Sequence, residues 1–278
     1  MEHAAYPARV RRRVEGGGAM NFLMKQKLIS LCLLPILAFG NWAMDFDELW
    51  ASSMSSLTAK DYVQDGLVAM WDGEWNAGWG THDPNATVWK DLVGACDLTV
   101  NGTTSWGDKY ANMDSATFFG GTIDPVKVFT GNGVAVQTLS TKIGSSANSG
   151  IFAIGDSNNR HLWIWESYVQ GSGGMMFSKF IYNTNVGSTY PVLSVDDKVL
   201  LTVSYKDGVA NTFVGTDSDK SVVIASNQIV GDQPIYIGRL PGYNTYGGKI
   251  YCVRLYNRAL TQSEIAHNYD VDKARFGL

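Results

Sequence analysis

Between Gly66 and Tyr256 the apolar residues fall into twelve short runs, each closed by Gly, Asn, Asp or Ser. Interruption at that spacing leaves no room for the 3.6-residue period of a long helix and is the mark of strands joined by turns. The runs lie at 67–71, 96–100, 116–119, 133–140, 151–154, 161–166, 175–182, 199–205, 210–215, 221–225, 235–237 and 249–256. One join is explicit. In LLTVSYKDGVANTFVGT two alternating runs meet at Asp207-Gly208, a strong local hairpin signal. Strands in this number, with no helical period between them, predict an all-β antiparallel sandwich or barrel. Only the end of the chain reads as helix, where Thr261 with Glu264 three residues later forms a capping box over a short C-terminal segment.

The N-terminus follows a different pattern. Arg9, Arg11, Arg12, Arg13, Lys25 and Lys27 precede the unbroken apolar stretch LISLCLLPILAFG at 28–40, the layout of a secretory signal peptide, with Ala38 and Gly40 as the small residues before a cut after Gly40. The stretch is shorter than the roughly 20 residues of a spanning helix, and Pro35 interrupts it, so no stable membrane span is expected after cleavage. Residues 1–19 set the apolar core far from the start. Glu15 to Gly18 need purine-rich codons resembling a ribosome-binding site, so translation is expected to begin at Met20 or Met24. Export would place the protein in the periplasm, at the cell surface or outside the cell. Residues 41–65 read as a leader packed loosely on a domain of residues 66–278. Without residues 1–40 the chain carries 16 Lys+Arg against 24 Asp+Glu, a net charge of −8 over 238 residues. That acidity argues against a nucleic-acid partner, which needs a concentrated basic surface.

The runs GLVAMWDG (66–73), WKDLVG (89–94), DLTVNG (97–102) and GGKIYCVRLYNRALTQSEI (247–265) resemble bacterial laminin-G-like domains of the concanavalin A-like lectin/glucanase superfamily. The closing run is the most specific of the four. The resemblance covers about residues 66–278. It implies a jelly-roll β-sandwich of two curved antiparallel sheets, with the first and last strands adjacent and a short C-terminal helix. Val253 and Leu255 should then face the core, and Arg254 and Tyr256 should face out.

Catalysis on such a fold would use paired carboxylates aimed at one bond. After residue 40 the only Glu are 48, 74, 166 and 264, none with a second acid two or four residues on in a strand. There is no HExxH, no Gly-x-Ser-x-Gly and no GxGxxG. A binder is therefore expected ahead of an enzyme, with a glycan-processing hydrolase or lyase as one alternative and a purely structural extracellular domain as the other. The resemblance also implies Ca²⁺ at a loop rim, for which Asp72, Asp91 and Asp124 are the loop carboxylates available; for any one of them a turn that hydrogen-bonds its own backbone is the commoner role. Aromatic residues carry the clearest signal. Trp75 and Trp79 lie in the glycine-rich stretch WDGEWNAGW, and alternation puts Trp163 and Trp165 on one strand face with Leu162 and Ile164 on the other. Exposed, these four rings would form a platform for a glycan or another extracellular surface ligand; buried, they fill the core. Cys96 and Cys252 are expected to be two separate thiols.

Overall fold

A computed structural model describes residues 57–278 apart from 115, 132, 142–148, 157–159, 168–174, 181–183, 190–196, 224–231 and 243. The signal segment, the start of translation and most of the leader lie outside the described residues. The first sheet contains β1 (Leu67–Asp72), β4 (Ser105–Gly107), β5 (Tyr110–Met113), β7 (Val134–Thr141), β12 (Lys198–Lys206), β13 (Val209–Val214), β14 (Asp217–Val223) and β17 (Gly248–Tyr256). Their order is β14-β13-β12-β7-β17-β5-β4, with β1 also paired to β17. The second sheet contains β2 (Val88–Trp89), β3 (Leu98–Asn101), β6 (Phe118–Ile123), β8 (Ser149–Gly155), β9 (Arg160–Ser167), β10 (Met175–Phe180), β11 (Thr184–Thr189), β15 (Gln233–Ile237) and β16 (Asn244–Thr245). Here the order is β11-β10-β9-β8-β15-β6-β3-β2, and the two-residue β16 joins β8 in parallel. All other pairings in both sheets are antiparallel. The molecule is the β-sandwich that the sequence implies, and its first and last strands pair directly, Trp71 opposite Val253.

Side-chain alternation builds the core. Trp71, Val136, Leu201, Val253 and Leu255 from the first sheet meet Leu98, Phe119, Phe152, Leu162, Ile164 and Ile235 from the second in one buried cluster. The hairpin expected at Asp207-Gly208 joins β12 to β13. Both residues have positive φ, 50° and 81°, the type I′ geometry whose twist matches the flanking strands. Five short strands, β2, β4, β5, β11 and β16, fall outside the twelve apolar runs.

A third layer covers the outer face of the first sheet. Besides the single-turn α1 (Pro125–Val128), the chain forms α2 (Gln262–Phe276), opened by the reciprocal Thr261–Glu264 capping box. It buries Ile265, Asn268, Val271, Asp272, Arg275 and Phe276, a helical stripe in which three of the six residues are polar. Arg254 and Tyr256 do point away from the inter-sheet core, but they are fully buried beneath this helix and do not reach solvent. The end of the leader is not loose either. Tyr62 is buried, its backbone neighbour Val63 donates to Asn268 Oδ1, and the segment closes over the same face.

Candidate functional site

Beneath α2 lies a continuous polar network. The Arg254 guanidinium makes two 2.7 Å bonds to the two oxygens of Asp272, and both side chains are fully buried. Arg275 donates to both oxygens of Asp72 and to Glu74 Oε2, at 2.6, 3.1 and 2.8 Å. Tyr62 connects the two pairs: its hydroxyl donates to Asp272 at 2.6 Å and accepts from Arg275 at 3.0 Å. Its ring stacks under Arg254, 4.1 Å from the guanidinium carbon. Gln137 Oε1 accepts from both Arg254 and Asn268. Burial, reinforced by Asp272, pushes the Tyr62 phenol well above its usual range. Burial, the largest single influence, would lower Arg254, but the charge and hydrogen bonds of Asp272 together with Cys252 and Tyr62 hold the guanidinium above its ordinary value. Buried charges survive only when paired and hydrogen-bonded in this way.

This network fixes the loop that follows β1. Asp72 Oδ1 also accepts from the backbone N–H of Glu74 and of Trp75. Asn76 is buried and exchanges two 2.8 Å bonds with the backbone of Asp83, closing the loop on itself. Gly78 pairs with Thr81 in an isolated bridge. At Gly73 a Cβ would fall 2.6 Å from Lys109 O and Tyr110 Cα, so only glycine lets the loop lie against the start of β5.

On this frame the structure brings Trp75 and Trp79 together, ring centroids 5.5 Å apart and edge to face. Trp75 is half-buried against the layer under α2, and Trp79 is 42% exposed. Lys60 lies over the Trp79 ring at 5.6 Å, and Arg275 over Trp75 at 5.8 Å. The other tryptophans nearby differ in one respect. Trp71, Trp89 and Trp106 each donate Nε1–H to a backbone carbonyl, of Cys96, Asp72 and Ala86 respectively. Among the described residues Trp75 and Trp79 donate to nothing.

The second pair of expected rings belongs to the other sheet. Trp163 and Trp165 lie on β9, opposite Ala153 and Gly150 of β8, and their side chains lie outside the described residues. Leu162 and Ile164 are buried, as expected for the core face. Tyr236, on β15, is half-buried beside Phe118 at 6.0 Å, and it shares the cross-strand row that runs through Ala153 to Trp163.

The three carboxylates considered for Ca²⁺ are committed elsewhere. Asp72 is fully buried on Arg275. Asp91 accepts from four backbone amides, of Met70, Val93, Ala95 and Cys96. Asp124 Oδ1 accepts from Val126 N at the start of α1. Among the described residues no group of three or more His, Cys, Asp or Glu could hold a metal ion. Cys96 and Cys252 are separate thiols, the first in the inter-sheet core and the second on the opposite face of the first sheet. Burial, with Asp91 nearby, raises Cys96 to about 11, and burial raises Cys252 further. Neither has the thiolate character of a reactive cysteine.

Sequence reasoning located the tryptophan loop but missed Lys60, Tyr62, Lys109, Tyr110 and Arg275 around it. Arg275 carried one signal, a cation in the last turn of the helix.

Residues 138–266, from β7 into α2, match the family model for the Concanavalin A-like lectin/glucanases superfamily (Laminin_G_3). No curated protein matches the chain. Among solved structures, Trypanosoma rangeli sialidase is similar at 14% identity with a TM-score of 0.57, over 83% of this chain and 39% of that one. Domain 4 of AbnA, a GH43 extracellular arabinanase from Geobacillus stearothermophilus solved with arabinotriose, is similar at 16% identity with a TM-score of 0.54, over 72% and 96%. The binding domain of botulinum neurotoxin DC, solved with rat synaptotagmin II, is similar at 8% with a TM-score of 0.56, over 76% and 52%. This chain thus spans about two fifths of the sialidase, and likenesses at such identity establish the fold alone.

Proposed function

We propose that this is an exported, non-catalytic carbohydrate-binding domain, acting in the periplasm, at the cell surface or outside the cell, with Trp75 and Trp79 as its ligand-contacting rings. The observation that carries the reading is the contrast among the indoles: three are tied to backbone carbonyls inside the protein, while these two sit on a rigid loop, their N–H groups donating to nothing among the described residues and the Trp79 ring 42% exposed. Sugar rings present C–H faces that pack on indole and hydroxyls that accept from its N–H, so an apolar body with a polar tip suits both. Pre-ordering of the loop by Asp72 and Asn76 spares the entropy that a mobile loop would lose on binding. A fold neighbour holding arabinotriose is in keeping with this reading.

Trp163 and Trp165 enter the proposal as a second aromatic patch on the other sheet, separate from the loop pair. Catalysis gains no support from the carboxylates at the corner, because Glu74 is ion-paired to Arg275 and Lys109 and Asp72 to Arg275. A glycan array read beside a hydrolase and lyase screen tests the proposal. Binding without turnover, lost in Trp79→Ala, is the expected result. Turnover would make the protein an enzyme, and neither binding nor turnover would leave a structural domain.

A further inference from the structure

The rings of the loop do not end at Trp75. Gly73 abuts Lys109 and Tyr110, and half-buried Tyr110, which packs with Trp75 against the same buried cluster, meets Tyr251 at 5.4 Å. Each ring along this line has a cation against it. Lys60 is over Trp79, Arg275 over Trp75, and Lys249 over Tyr110 at 5.4 Å. The chain as a whole is acidic, with 22 Lys+Arg against 26 Asp+Glu, so this local arrangement runs against the composition.

Asp72 and Glu74 are committed to cations, Asp72 to Arg275 and Glu74 to Arg275 and Lys109, and Asp61, exposed beside Lys60, is held by hydrogen bonds from the backbone and hydroxyl of Thr58. Lys60 is exposed, and its ammonium has no carboxylate partner among the described residues. An unpaired ammonium beside an open indole is complementary to a ring that has an apolar face and an anionic edge. The flexible lysine can yield the indole face to the sugar and follow its carboxylate.

We infer that the line Trp79, Trp75, Tyr110, flanked by Lys60, Lys109 and Lys249, selects sugar polymers whose rings carry carboxylates. This rests on the carbohydrate-binding reading above and names its ligand class. Since the protein's overall charge repels a polyanion, selectivity comes from these short-range contacts and not from long-range steering, and added salt weakens it.

The test compares oligomers of galacturonate, mannuronate and glucuronate with the same oligomers after reduction of their carboxyls to alcohols, titrated calorimetrically against the full domain. At least one acid form is expected to bind tenfold or more tighter than its reduced partner. Lys60→Gln should collapse that ratio toward one, whereas Trp79→Ala should abolish binding of both forms. Lys60 is exposed, so an unchanged melting curve for Lys60→Gln serves as the folding control. Equal binding of acid and reduced forms, or a ratio untouched by Lys60→Gln, overturns the inference. If only neutral glycans of a wider panel bind at Trp79, the inference falls and the carbohydrate reading stands. If no glycan binds at all, both fall.

Discussion

β17 and β15 are both core strands, yet their burial differs. β15 alternates between buried and half-exposed residues, while β17 is buried without a break from Ile250 to Tyr256. The difference lies in what covers the outer face. On the second sheet Thr99 and Thr122 reach solvent and Tyr236 is half-exposed, whereas on the first sheet α2 and Tyr62 close over Arg254 and Tyr256. A period of two in the sequence therefore identifies the two faces of a strand, but not whether a further layer covers the second one.

The comparison is broken most directly by deleting one partner under α2. Asp272→Ala leaves Arg254 buried and unpaired and should cost about 3–5 kcal/mol in chemical denaturation, whereas Thr99→Ala on the uncovered face should stay within about 0.5 kcal/mol. Similar losses at the two sites would mean that the third layer is not energetically part of the fold. Tyr62→Phe removes one hydroxyl that serves both Asp272 and Arg275, and about 2 kcal/mol of destabilisation is expected, since hydrogen bonds to charged groups are the stronger ones. A null effect there would return the 57–65 segment to the loose leader that its composition suggests.

A smaller effect concerns acid. The hydrogen bond from Arg258, with help from Thr261, lowers the Glu264 carboxyl to about 2. A depressed carboxyl stabilises above its unfolded value of roughly 4.3, and that contribution fades as pH falls through the folded value. The melting temperature should therefore drop between about pH 4.3 and pH 2, and Glu264→Gln should flatten part of that drop while lowering the neutral-pH value slightly. Trp79→Ala is also a small change in stability. The ring lies at the surface, 42% exposed, and loses mainly its edge-to-face contact with Trp75, so a shift within about 1 kcal/mol is expected from thermal melts, while glycan binding is lost.

Much of the sandwich was legible because burial on one face writes itself as alternation. Val253 and Leu255 faced the core as read, the Asp207-Gly208 hairpin fell where its turn chemistry placed it, and the Thr261–Glu264 box opened the helix. What escaped reading was polar. The helix runs for 15 residues, but its buried stripe carries Asn268, Asp272 and Arg275, which hide the apolar period that marks a packed helix. Strands as short as β2 and β16, two residues each, are held by neighbours and leave no pattern of their own. At the site, the tryptophan spacing pointed to Trp75 and Trp79 directly. Lys60 and Arg275 lie 15 and 200 residues away from Trp75 in sequence and join it only through the fold. Asp72 looked like a free turn carboxylate because nothing local announces that Arg275 will reach it.

The account rests on Trp75 and Trp79 being the rings that meet ligand. Indole N–H resonances, assigned by single Trp→Phe substitutions and followed by ¹⁵N-edited NMR during titration with a glycan found on the array, test this directly. The Nε1–H signals of Trp75 and Trp79 should move with ligand, while those of Trp71, Trp89 and Trp106, tied to backbone carbonyls, stay in place. A bound glycan that leaves Trp75 and Trp79 unmoved would contradict the account.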